Sequence, residues 1–353
     1  MKKVKKTLRP TTKKDLMQLI HREICQHGKK VSLNHIDVSN ITDMSGLFSS
    51  TPDTIALVSL ERFNGDISQW DVSNVKNMSG MFAGSSFNKN ISNWNVSNVE
   101  SMCEMFCRSR FNQDISRWNV SKVTNMARMF KDSRFNKDIG KWKTHSLTNM
   151  TSMFAQSRFN QDISAWDTSN VEFMGCLFEE CPFNHPLNTW NVSKVRLMAG
   201  MFCESEYDHP LDDWDVSQVY DMSRMFFKSK FDHPLSSWQP TSLTHALQMF
   251  AVSAFNQDIS SWRAPNIRFA REMFYSSRCE HLNVFEGLAK TGGDKELMCV
   301  DFYNNTPVTR RYPELQGASP EKLRSFFRSQ WMERELSQVP SSSEASPRPK
   351  IRL

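Results

Sequence analysis

A strict period of 24 residues constrains this chain more than any other feature. Nine tryptophans, from Trp70, Trp94 and Trp118 through to Trp262, are each separated by that interval. Nine phenylalanines from Phe82 to Phe274 keep the same step. A further ring opens each unit from Phe63 to Phe255, with Tyr207 as the one change. A unit this short cannot enclose a core alone, so it must bury its apolar residues against identical neighbours. The sequence is therefore read as a solenoid, and its 353 residues do not imply two or three separate cores.

Within one unit the apolar residues run Ile67, Trp70, Val72, Val75, Met78, Met81, Phe82 and then Phe87. Ile67, Trp70 and Val72 match the L-x-x-L-x-L spacing of a short strand. Met78, Met81 and Phe82 have the three-and-four spacing of one helical turn. These spacings predict an α/β repeat solenoid, leucine-rich-repeat-like, with short parallel strands, short helical turns and a helical cap at each end. Equivalent side chains would then form columns along the stack.

The ends depart from the period. Residues 1–12 form a basic leader, expected to be flexible. Residues 13–33 are assigned to an N-terminal capping helix: Thr12 and Asp15 form a capping box, Leu16, Ile20 and Ile24 make an apolar face, and Gly28 stops the helix. The repeats occupy 34–282 as about ten 24-residue units, with a ten-residue insertion inside 49–62. Leu282, Phe285 and Leu288 have the look of a degenerate last turn. Residues 283–336 are read as the C-terminal cap, including a helix opened by Ser319-Pro320-Glu321 with Leu323, Phe327 and Trp331 on its apolar face. The Ser/Pro-rich stretch 337–353 is expected to be disordered.

Charge excludes some function classes. The formal net charge is +6, but seven cations and no acid lie in residues 1–14, leaving the rest near neutral. That distribution is not the broad basic footprint of a nucleic-acid binder. No run approaches the ~18 apolar residues of a membrane span, and no apolar segment follows the basic N-terminus as a secretory signal requires. The chain is expected to be cytoplasmic as synthesised, or secreted without a cleaved signal peptide. Cys107 and Cys203 share a column but lie four repeats apart, too far for a disulfide. The eight cysteines are accordingly read as free thiols in a reducing compartment.

Little in the sequence suggests catalysis, a cofactor or a metal. His21 and His27 flank Cys25 but, six residues apart, fall on different helix faces, and Cys103 with Cys107 lacks a second pair. The glycines form no phosphate-cradling loop. His185, His209 and His233 fill one column in consecutive repeats and are read as an exposed bend. The column from Asn64 to Asn256 is read as a side-chain ladder satisfying backbone groups. The tryptophan column holds the inward position, which assigns it to the core in preference to a sugar-binding strip. The best recognition candidates are cationic. Arg110, Arg134 and Arg158 share a column in consecutive repeats, with Arg108, Arg128 and Lys131 nearby. Asp114, Asp138 and Asp162 are close enough in sequence to neutralise them. Arg117 and Lys141 stand in a second, more variable column.

The unit F-N-x-D-I-S-x-W-D-V-S-N-V-x-N-M-x-x-M-F resembles the BspA-like leucine-rich-repeat family, formerly catalogued as a domain of unknown function in mycoplasmas and other bacteria. The likeness covers about residues 34–280. It implies a leucine-rich-repeat-like solenoid without catalytic activity; many members resemble surface proteins that attach to host or extracellular components. The expected function is a non-enzymatic, monomeric protein-binding solenoid of bacterial origin, involved in host interaction or virulence, with a bacterial or host protein as partner. The alternatives are a surface adhesin for carbohydrate or extracellular matrix, and an intracellular scaffold.

Overall fold

The computed structural model describes residues 8–49, 60–284, 288 and 298–338, with the side chains of 331 and 333–338 excepted. The first seven residues of the leader, the middle of the insertion in 49–62, part of the segment after 284 and the tail beyond 338 lie outside this set.

Successive coils stack in register. One-residue parallel bridges link Asp43, Asn77, Ser101, Asn125, Asn149 and so on to Phe269 and Met298. Inside the stack, phenylalanines of the Phe82 column lie 5.3–5.9 Å apart, centroid to centroid. From Phe82 to Phe250 each also touches the ring that opens the next coil, as Phe106 touches Phe111 at 4.1 Å. The nine tryptophans from Trp70 to Trp262 are 0–4 % exposed, so their column is core and offers no aromatic strip to a sugar. Each indole N–H donates to a carbonyl of the preceding layer, as Trp94 Nε1 does to Ile67 O at 3.1 Å. This satisfies the one polar atom that burial would otherwise leave unpaired.

The expected α/β solenoid of parallel strands and helical turns is not what forms. Among the described residues there is no sheet, only isolated bridges. Ile67 to Trp70, read as a strand, is instead a turn closed by Trp70 N–H to Ile67 O at 3.2 Å. The Met78–Phe82 segment, read as a helical turn, makes no i→i−4 bond; Met81, Ala83 and Ser85 donate to Met78, Gly80 and Phe82, each three residues back. The intervening N–H groups of Met78, Gly80, Phe82 and Gly84 donate to Ser101, Cys103, Met105 and Cys107 of the next coil. That alternation requires a left-handed residue at every fourth position. The requirement falls on Gly80 and Gly84, then on Glu104 and Arg108, Arg128 and Asp132, and their successors, with φ of 49–67°. A strand or helix needs consecutive residues in one backbone region, and this periodic reversal prevents both.

The coil corners are built by side chains. Asp66 Oδ1 accepts from Ser68 N–H at 2.9 Å, Asp71 Oδ1 from Ser73 N–H at 3.0 Å and Asn77 Oδ1 from Ser79 N–H at 3.0 Å. These Asx turns supply the acceptor a backbone turn lacks. The asparagine column is a ladder: Asn112 N–H donates to Asn88 Oδ1 and Asn136 N–H to Asn112 Oδ1, both at 2.9 Å.

Three α-helices occur among the described residues: α1 Lys13–His27, α2 Pro307–Arg311 and α3 Pro320–Gln338. Thr12 and Asp15 exchange the bonds of a capping box at the start of α1, which buries Leu16, Ile20 and Ile24. Lys13 Nζ donates to Ser45 Oγ at 2.6 Å, tying α1 to the first coil. At the other end, pairing runs beyond residue 282. Ala270, Glu272, Phe274 and Ser276 donate to Met298, Val300, Phe302 and Asn304. Cys299, Phe302, Tyr303 and Thr306 are buried in this final layer.

Candidate functional site

Arg110, Arg134 and Arg158 follow a buried serine and precede a buried ring in each coil, an arrangement that turns all three side chains outward. They are exposed, one layer apart, and none forms an ion pair with a described residue. The aspartates that might neutralise them are engaged elsewhere. Asp114, Asp138 and Asp162 each accept a corner N–H at 2.9 Å, from Ser116, Gly140 and Ser164. The Ser116 and Ser164 bonds, to backbone and side chain, hold the Asp114 and Asp162 carboxyls below the ordinary aspartate value. The column ends at Pro182, beyond which Glu206 and Lys230 pair with each other.

Arg117 and Lys141 are also exposed, but they stand on a different corner, one residue before the tryptophan. A shallow depression lined by Asn112, Gln113, Asp114, Ser116, Lys137 and Asp138 lies along the chain between the two columns. Arg108, Arg128 and Lys131 sit on the left-handed segment, where Arg128 pairs with Glu104 at 2.9 Å. The histidine column is occupied locally: His185, His209 and His233 place Nε2 at 3.1–3.3 Å from the carbonyls of Asn160, Asn184 and Asp208. Among the described residues no group of three His, Cys, Asp or Glu side chains is placed to hold a metal ion. No described helix is long and apolar enough to cross a membrane. All eight cysteines are free thiols; burial pushes Cys176 and Cys181 up to about 11, and Cys203, Cys279 and Cys299 up to about 12.

One outward row escaped the sequence reading. The bridge position holds Asn77, Ser101, Asn125 and Asn149 in the early coils, whereas the later ones place Phe173, Leu197, Phe269 and Met298 there, interrupted by Asp221 and His245. Asn125 and Asn149 use Oδ1 to accept from Ala127 and Thr151 N–H. Phe173 and its apolar counterparts have no such acceptor. Tyr220, Met298 and Val300 on this side are 42–54 % exposed. The signal was available as a change of residue class within one column.

Unbroken coils, corners closed by side chains and outward columns free to vary define a stacked repeat protein. The family described as "Mycoplasma protein of unknown function, DUF285" matches residues 17–134, 55–157, 108–206 and 182–284. These overlapping matches cover most of the chain, which therefore belongs to that repeat family. No match is found among curated proteins or among solved structures.

Proposed function

We propose that this protein is a non-enzymatic, protein-binding repeat protein, and that its basic side recognises an acidic protein surface. The observation that carries the reading is the arginine column. Like charges one layer apart, about 5 Å by the spacing of paired strands, repel each other unless a partner relieves them. Arg110, Arg134 and Arg158 have no ion-pair partner among the described residues, and their candidate acids are committed to corner bonds. Arg117 and Lys141 extend the same sign to the next corner. Residues 87–158 hold twelve Lys or Arg against five Asp or Glu, a net +7. We place this binding in the interaction of a bacterium with its host, a context favoured by the mycoplasmal family and the repeat resemblance.

The test is capture from bacterial and host-cell lysates by wild-type protein and by Arg110→Glu/Arg134→Glu/Arg158→Glu. A specific protein should bind wild type, elute with salt and fail to bind the triple variant, while a variant with Asn98, Asn170 and Asn266 changed to Glu still retains it. Equal capture by both triple variants would refute the arginine column as the binding surface.

A further inference from the structure

Two adjacent three-coil blocks in the middle of the stack carry opposite charge. Residues 87–158 sum to +7, whereas residues 159–230 hold five Lys or Arg and twelve Asp or Glu, a net −7. The segregation is sharpest on the ridge either side of the tryptophan column, where alternate residues point outward. There Arg117, Lys141 and Lys143 are exposed in two consecutive coils, and Asp212, Asp213 and Asp215 are exposed together in one later coil. Between them lie Ala165 and Thr189 before the tryptophans, small and uncharged, and Asp167 and Asn191 after them, so the interval carries a single charge.

These six groups do not neutralise one another within the chain. No ion pair joins any of them to a described residue. Lys141 and Asp213 are three coils apart, about 14 Å at ~4.8 Å per layer, beyond the ~8 Å screening length of physiological salt. Their surroundings are rigid: Asp213 and Asn188 exchange hydrogen bonds across adjacent coils, and Asp215 closes the corner at Ser217. Each patch is thus held in fixed register, with Asp167 the one charge in the interval between.

A ridge that is positive on one side of its midpoint and negative on the other complements itself after a half-turn. We infer that a second copy of this chain docks along this ridge in the opposite direction. The two-fold axis would pass beside Ala165 and Thr189. Lys141 and Lys143 of each copy would then face Asp213 and Asp215 of the other, with Arg117 and Asp212 flanking the contact. Parallel docking in register would set like charge against like, so the antiparallel arrangement is selected by repulsion as well as attraction. The contact is isologous and closes on itself. The Arg110 column lies on another corner, so it stays available to the partner proposed above, although Arg117 and Lys141 would be shared; the reversals at Arg110, Arg134 and Arg158 and those at Lys143 and Asp215 tell the two readings apart.

The experiment is sedimentation of the full chain at low and high salt, combined with charge exchange. Wild type should sediment as a dimer at low salt and dissociate as salt rises. Lys141→Glu/Lys143→Glu and Asp213→Lys/Asp215→Lys should each weaken self-association at least tenfold. Mixing these two variants should restore a dimer containing one of each, as should combining all four changes in one chain. Arg110→Glu/Arg134→Glu/Arg158→Glu should dimerise like wild type. A monomer at all salt concentrations would overturn the inference. So would open-ended oligomers, a dimer indifferent to the reversals, or failure of the mixture to associate when circular dichroism shows both variants folded.

Discussion

Residues 87–158 and 159–230 are the same object inside and opposite objects outside. Both present Phe, Met and Trp columns to the core with near-zero exposure. Yet the first block is basic with asparagine or serine at the bridge position, and the second is acidic with Phe173 and Leu197 there before Asp221. The contrast shows that packing fixes only the inward residues. Outward columns answer to no structural demand except the corner bonds, so their drift in charge and polarity reports on what the surface meets.

The comparison can be broken first in the core. Phe130→Ala in the basic block and Phe202→Ala in the acidic block should each cost about 3–5 kcal/mol, with a difference small beside that loss, as read by chemical denaturation. A large disparity would mean that the two blocks are not equivalent inside. Next comes the bridge position. Phe173→Asn should restore a corner acceptor and stabilise by about 1 kcal/mol, while Asn125→Phe should destabilise by a similar amount. A similar gain is expected at Val252, an exposed β-branched residue held at φ 57°. Val252→Gly should relieve about 1 kcal/mol of left-handed strain, raising the denaturation midpoint.

Acid should separate the two ends of the stack. Hydrogen bonds from Ser39, Ser68, Ser116, Ser164 and Ser169 hold Asp37, Asp66, Asp114, Asp162 and Asp167 below the ordinary aspartate value. A depressed folded value stabilises the protein above the unfolded value, and that contribution fades as pH falls through the folded one. These carboxylates all lie at or before residue 167, whereas later corners use Pro186, Pro210 and Pro234 where the early coils have Asp66 or Asp114. Hydrogen exchange measured as pH drops below the usual carboxylate range should therefore show the N-terminal coils loosening before those from 183 to 254. The smallest effect concerns thiols. Cys25 is exposed, and iodoacetamide at neutral pH should modify it well before Cys181, Cys203, Cys279 or Cys299, as mass spectrometry would show.

The period, the columns and the buried tryptophans were legible because a fixed interval of bulky rings admits few packings. The backbone between them was not. Met78, Met81 and Phe82 have a spacing shared by a helical turn and by a run of four-residue turns. Glycine would have revealed the left-handed positions, but it stands only at Gly80, Gly84 and Gly200 of the central coils, and Glu104, Arg128 and Ser152 give no such signal. The final layer was obscured because its bridge residue follows Phe269 by 29 residues instead of 24, which moves Phe302 and Tyr303 out of sequence register. At the candidate site, the arginine column was visible in the spacing. The engagement of Asp114, Asp138 and Asp162 in corner bonds was not, because hydrogen-bond geometry decides it.

The unvarying length of the central coils has a consequence for measurement along the molecule. Every coil closes its own corners, so removing or adding one whole unit, such as residues 111–134, would leave every column in register. Distances along the surface can therefore change only in whole steps. The stack is a ruler with one mark per coil, and any partner that grips two patches at once is reading an integer.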